Sequence, residues 1–294
     1  MGRHAVACAA ATLLAGGCGR IGFDARGDAL DASAPDAAPL GPFGPPQIVP
    51  VVSSTMAEDD ASMTGDQLEI YFMRGVVATD GAIYVATRAT PSEMWGTPAI
   101  VSISNPTDST ARVSRDGLRL WVGSPRAGGF GTVDIWLATR SSRAAPWTIA
   151  HVPELSTSME EFAASEFAGQ TQLVFSSNRL GGSTDIFLAA RPTATDPWGT
   201  AQPASLNTTA ADQDAFVSDA GYELWFSSTR PGSQGGDLYY ATRSSLTEDF
   251  GNITPVTELN TMSDENDPWV SPDGRTIIFG SNRSGNPEIY QAKR

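Results

Sequence analysis

Apolar residues in this chain gather in short unbroken runs: IYF at residues 70–72, LWV at 120–122, LVF at 173–175, LWF at 224–226 and IIF at 277–279. Runs this short, without polar alternation and rich in β-branched and aromatic residues, predict strands buried on both faces. A turn signal stands before four of them. Asp116-Gly117 and Asp273-Gly274, with Ala168-Gly169 and Ala220-Gly221, place residues suited to positive φ between two apolar segments, as a tight hairpin requires. A third segment follows each run and carries an aromatic, at Tyr84, Trp136, Phe187, Tyr239 and Tyr290. A fourth piece opens with an aromatic of its own: WGTPAIVSI from Trp95, WTIAHVPEL from Trp147, WGTAQPASL from Trp198 and FGNITPVTEL from Phe250. The pattern is strand after strand, with no stretch of helical period.

The segments recur as a unit. YVATR ends at Arg88, WLATR at Arg140, FLAAR at Arg191, YYATR at Arg243 and YQAKR at Arg294, so successive copies are 52, 51, 52 and 51 residues apart. In the last copy an acidic cluster, Asp264, Glu265 and Asp267, leads into PWVSPDG, then TIIFGSNR, the loop SGNPE and IYQAKR. The first copy has Ala82 where the others carry a loop acid. Four short strands per repeat of about 50 residues is the arithmetic of a β-propeller blade, in which neighbouring sheets cover both faces of each middle strand.

SPDG, IIFGSNR and EIY, within Ser271 to Tyr290, resemble the TolB-type, WD40-like propeller repeat, and the likeness extends over about 250 residues, in all five copies. The expected fold is therefore all-β, a five-bladed propeller of four-stranded antiparallel blades over residues 43–294. Its closure is also legible. FGPPQIVPVVSSTM, from Phe43, parallels FGNITPVTELNTM at Phe250 to Met262, so the chain opens with a fourth strand and ends on a blade that lacks one. Residues 43–55 are expected to complete the C-terminal blade and remove an exposed sheet edge.

In an up-and-down blade, the segment entering strand one and the loop joining strands two and three lie on the same face. One mouth thus collects Glu58, Asp59, Asp60, Asp108, Glu160, Glu161, Asp212, Asp214, Asp264, Glu265 and Asp267, together with Arg126, Arg179, Arg230 and Arg283. Two readings of this mouth are open. The arginines pair with the loop acids Asp185, Asp237 and Glu288 or with the entrance acids, and hold the loops in place. Alternatively, unpaired acids bind a cation or a polyhydroxyl ligand such as a glycan. The series Trp95, Trp147, Trp198 and Phe250 reads as packing between blades rather than as sugar-stacking platforms, because it recurs in every copy. The series from Arg88 to Arg294 reads as solvated strand ends with their stems laid on the sheet.

Composition narrows the chemistry. The formal net charge is −14 and Lys293 is the only lysine, so the basic footprint of a nucleic-acid binder is missing. His151 is the one histidine beyond the leader, and the only cysteines are Cys8 and Cys18. That leaves no multi-histidine metal site and no thiol nucleophile in the propeller, and a Ser-His-Asp triad would have to use His151, which is expected at the surface. No catalytic residue and no cofactor is expected. Carboxylate pairs remain the one enzymatic route, since five-bladed glycosidases of the arabinanase and levansucrase type work through acids in the central cavity.

The first eighteen residues have the charged start, the apolar stretch Ala5 to Leu14 and the small-residue end of an export signal. The ending LLAGGC resembles a bacterial lipoprotein signal, which implies lipidation at Cys18; ordinary cleavage near the glycine pair is the alternative. Gly19 after the cysteine implies, by the same resemblance, the outer membrane of a Gram-negative cell. Residues 19–42, rich in Ala, Asp and Pro, read as a flexible tether. The expected protein is a lipid-anchored, exported, non-catalytic binding or scaffold module of the cell envelope. Its expected partner is an envelope protein or a cell-wall component, and a carbohydrate-binding or glycoside-cleaving propeller is the alternative.

Overall fold

The computed structural model describes residues 40–75 and 81–294. The expected export signal, the proposed lipidation site Cys18 and the expected tether up to residue 39 lie outside the described residues. Twenty strands form five antiparallel sheets of four, and the described residues contain no helix. After β1 (Gln47–Ile48), the first blade runs β2 (Glu58–Met63), β3 (Glu69–Arg74), β4 (Ala82–Thr87) and β5 (Ala99–Ile100). The second is β6 (Thr110–Val113), β7 (Arg119–Ser124), β8 (Asp134–Thr139) and β9 (Thr148–His151), and the third β10 (Glu161–Phe167), β11 (Gln172–Ser177), β12 (Asp185–Ala190) and β13 (Gln202–Pro203). The fourth is β14 (Asp212–Val217), β15 (Glu223–Ser228), β16 (Asp237–Thr242) and β17 (Gly251–Pro255). β18 (Glu265–Val270), β19 (Thr276–Ser281) and β20 (Glu288–Lys293) make the fifth, whose outer strand is β1.

The closure follows the sequence expectation. Gln47 pairs with Gln291 and Ile48 with Tyr290, while the Gly44 and Val49 amides donate to Lys293 and Ile289 at 2.8 and 2.9 Å. An interblade contact recurs at four seams. The first residue of an inner strand donates its amide to the loop of the preceding blade: Glu161 to Val133, Asp212 to Thr184, Glu265 to Gly236 and, across the closing seam, Glu58 to Pro287. The two ends of the ring thus meet by the bonds that join its interior seams.

Burial explains why β3, β7, β11, β15 and β19 read as unbroken apolar runs. Five core clusters occupy the five seams; the one at the closing seam brings Val49, Val52, Ile70 and Phe72 together with Trp269, Ile278 and Ile289. Each tight turn on the face away from the mouth needs a left-handed residue, supplied by Gly117 at φ 74° and Gly274 at φ 69°, with Asp116 and Asp273 accepting the local serine hydroxyl and a backbone amide.

The arginines ending each repeat are half-buried rather than freely solvated. Arg88, Arg140, Arg191, Arg243 and Arg294 lie 4.0–4.4 Å over the rings of Trp95, Trp147, Trp198, Phe250 and Phe43, and each Nε donates to a turn carbonyl at 2.6–2.8 Å. The aromatic that opens each fourth strand is therefore packed under its own blade's arginine, and Phe43 fills that role for the C-terminal blade.

Candidate functional site

The eleven acids gathered by the sequence at one mouth separate into three layers. The outermost are Glu160 and Asp264, whose carboxylates accept from Asn178 and Asn282 side chains on neighbouring loops. Four exposed apolar side chains stand among the same entrance loops: Met262 (84% exposed), Leu180 (61%), Phe130 (60%) and Met159 (38%).

The second layer is one ion pair per blade. Glu58, Asp108, Glu161, Asp212 and Glu265, each fully buried, meet Arg74, Arg126, Arg179, Arg230 and Arg283, and the four pairs after the first include Asp212–Arg230 at 2.6 Å and Glu265–Arg283 at 3.1 Å. Each acid also accepts a loop amide three or four residues upstream, such as Thr208 N to Asp212 at 2.6 Å and Thr261 N to Glu265 at 2.7 Å. Four of the guanidiniums rest on the aromatic pair of their own second and third strands, as Arg230 does on Phe226 and Tyr239, both at 4.9 Å. The arginines choose the entrance acids; Asp237 and Glu288 are each left with one buried carboxylate oxygen that has no hydrogen-bond partner. Sequence reasoning missed Arg74 in this series because it is the last residue of β3, opposite Glu58 in the ladder, two places before the position that Arg179, Arg230 and Arg283 take beyond their strands.

The third layer lies on the axis. In β2, β10, β14 and β18 the ladder slips by one residue, between Asp59 and Ser62, Phe162 and Ser165, Gln213 and Phe216, and Asn266 and Trp269. The bulged residues Asp60, Ala163, Asp214 and Asp267 adopt φ of 50–55°. A bulge re-aims side chains, and here it carries three aspartates inwards. Asp60, Asp214 and Asp267 are buried and Asp59 is half-buried. In the second blade Thr110 to Val113 pair without a slip, and the side chain that reaches the axis is Arg112, 2% exposed, with Nη2 2.7 Å from Asp267 Oδ1 and Nη1 donating to the Pro268 carbonyl at 3.2 Å. Sequence analysis did not single out Arg112.

One guanidinium thus faces four carboxyl groups. Burial, and next to it the charge of Asp267, push the Asp59 and Asp60 carboxyls well above the usual range. Asp214 is pushed up to about 8, first by burial and then by Asp267, with Arg112 pulling the other way. A carboxyl whose folded pKa is raised holds its proton in the native state after the unfolded chain has lost it. Its contribution to stability is therefore complete below the unfolded value of about 4 and is lost as pH rises through about 8. In chelator-treated buffer the melting temperature should fall between about pH 5 and 8, and Asp214→Asn should flatten that decline. Parallel profiles for wild type and variant would contradict the assignment.

Aromatics gather at the far end of the axis. A cavity of about 30 Å³ lined by Arg112, Trp121, Phe216 and Trp269 has room for a water but not for a sugar. A larger groove of about 460 Å³ lies off the axis on the fourth blade, lined by Arg230, Gln234, Asp237, Tyr239, Ile253 and Asn260. His151 is half-buried between Phe130 and Trp136 rather than at the surface. Its Nε2 lies 3.0 Å from Ser156 Oγ and 3.7 Å from Asp134 Oδ1. A triad needs the acid on one ring nitrogen and the serine on the other, so this arrangement relays no proton.

No protein-family model matches the chain, and no curated protein matches it. Solved structures do. A family-43 glycoside hydrolase described as thermostable aligns with a TM-score of 0.60 at 14% identity, over 84% of this chain and 91% of that one. The endo-arabinase of Bacteroides thetaiotaomicron aligns with a TM-score of 0.58 at 15% identity, over 86% and 98%. TolB of Acinetobacter baumannii aligns with a TM-score of 0.56 at 17% identity over 83% of this chain, which spans 55% of the length of that protein. At these identities the likeness is one of fold, and it joins this chain to β-propellers of both the TolB and the family-43 hydrolase kind.

Proposed function

We propose that the protein is a non-catalytic binding module of the cell envelope that engages a basic protein partner through its entrance face. The observation that carries this reading is how the acids are disposed. The five acids supplied in register are neutralised by arginines, the axial ones are buried or half-buried with Arg112 among them, and what faces outward is an acidic rim set with Met159, Leu180, Phe130 and Met262. Flexible methionines and isolated large apolar groups beside charge are the composition of a protein-docking surface. The export-signal pattern and the cysteine at residue 18 support an envelope location, and the likeness to TolB agrees with it.

Immobilised full-length chain incubated with envelope extract should retain a partner whose binding weakens as salt rises, since an acidic face attracts it. Met159→Lys combined with Met262→Lys, which removes apolar surface and opposes a basic partner, should abolish that retention, while Arg275→Glu, on an exposed turn of the opposite face, should leave it unchanged. Retention lost equally with all variants, or with neither, contradicts the entrance-face reading. A carbohydrate-binding propeller is the second reading. It is favoured by the groove on the fourth blade, where a buried oxygen of Asp237 lacks a partner and Tyr239 and Ile253 give apolar surface. Glycan binding that survives the methionine changes and is lost in Asp237→Asn would support it.

A further inference from the structure

The axial cluster does something that neither docking nor glycan recognition requires. We propose that the axis of the ring holds a divalent cation of calcium size on the carboxylates of Asp59, Asp60 and Asp267. One oxygen from each lies within 4.8 Å of the others. Three clustered carboxylates suit calcium, which takes about six to eight oxygen ligands in flexible geometry, better than magnesium, which keeps several of its waters and is rarely held by an all-protein cage. The donor set is all oxygen, the choice of a hard cation.

Independent features of the site point the same way. Asp60 Oδ1 is buried and has no hydrogen-bond partner in the protein. Gly280, on β19, leaves open the space beside Asp59: a Cβ there would lie 2.4 Å from Asp59 Oδ1 and 2.4 Å from the amide oxygen Asn266 Oδ1. That glycine lets carboxylate and amide oxygens from two blades approach across the closing seam. Arg112 supplies one positive charge and spends it on Asp267. The remaining carboxylates face each other in a buried site, where only protons or a cation can relieve their repulsion.

This inference does not depend on which partner docks at the entrance, because the cation lies behind the arginine layer. By joining Asp59 and Asp60 of the first blade to Asp267 of the fifth, it would fasten the seam at which the chain closes on itself. The chemistry of the ligand is that of a calcium ion.

The experiment is a calorimetric and melting titration of the full chain with calcium chloride, in parallel with magnesium chloride, after removal of divalent ions. Extracellular modules bind calcium with dissociation constants of about 0.1–1 mM, so the titration should extend to about 10 mM. Calcium should raise the melting temperature by several degrees and magnesium by less. Asp60→Asn, which keeps a residue at home with positive φ, should weaken calcium binding by about tenfold or more. It should also raise the calcium-free melting temperature, because it removes repulsion; an acid with only a structural role would lower it. Gly280→Ala should weaken calcium binding without removing a charge. Glu160→Gln with Asp264→Asn, two rim acids, should leave the affinity unchanged. Absence of calcium binding in the wild type, or an equal loss from the rim variant, would overturn the proposal.

Discussion

A chain that begins at Phe43 should melt at nearly the same temperature as one carrying the whole tether, whereas a chain that begins at Met56 should open or aggregate. Residues 43–55 bury Phe43, Val49 and Val52 to 5%, 3% and 0% exposure. Each is worth about 1.5–3 kcal/mol on burial, so the loss is roughly 5 kcal/mol or more, a large part of a domain's stability. Phe43 also packs edge-on against Trp225 at 5.9 Å and under Arg294 at 4.3 Å, and its amide donates to Glu258 at 3.1 Å. The deletion would in addition uncover β20, with its unpaired amides and carbonyls, as a template for association. Melting and size-exclusion profiles of the two truncations check this. Equal behaviour would mean that the ring does not depend on its N-terminal strand.

The second large effect is expected at the buried ion pairs. Arg230→Ala leaves Asp212 charged, fully buried and without the guanidinium 2.6 Å away, which in comparable sites costs about 3–5 kcal/mol. The change also removes the cation resting on Phe226 and Tyr239. Arg115→Ala breaks the pair with Asp219 on the opposite face, where the partners are 60% and 41% exposed, and should cost about 0–1 kcal/mol. Chemical denaturation of both variants measures the contrast, and similar losses would show that the recurring pairs carry no special weight. Exchanging Arg230 and Asp212 together for apolar residues should recover much of the loss, because it removes the uncompensated charge.

The ring and its closure were legible because a repeat advertises itself: a strand pattern recurring every 51 or 52 residues fixes the blade count, and the unmatched fourth strand at Phe43 shows where the chain closes. The division of the acids was not legible. Glu265 and Asp267 stand two residues apart and look alike in the sequence, yet one meets its own blade's Arg283 and the other turns to the axis, where Arg112 of the second blade meets it, because the strand bulges after Asn266. No residue type in that segment announces a bulge; aspartate tolerates positive φ, but so here does Ala163. Arg112 was hidden for a related reason. At the equivalent place the other blades carry Ser62, Ser165, Phe216 and Trp269, so no series marks the position, and only the assembled ring shows that it crosses from the second blade to the fifth. The terminal arginines show how a recurring signal can be read in register and still be misplaced. Their periodicity was plain, but stacking on the next strand's aromatic depends on the path of the chain between them.

The central functional claim is that this propeller binds without catalysing, and it is tested most directly by incubating the purified full chain with a panel of polysaccharides and measuring reducing ends. A glycosidase needs two carboxyl groups on either side of a bound sugar, separated by about 5–9.5 Å. Here the acid that recurs in every blade is tied to an arginine, and the axial Asp59, Asp60 and Asp267 gather into one cluster instead of standing as a pair across a sugar site. The account predicts no release of reducing ends beyond that seen with Asp60→Asn and Asp214→Asn. Release by the wild-type chain that disappears in either variant would contradict it.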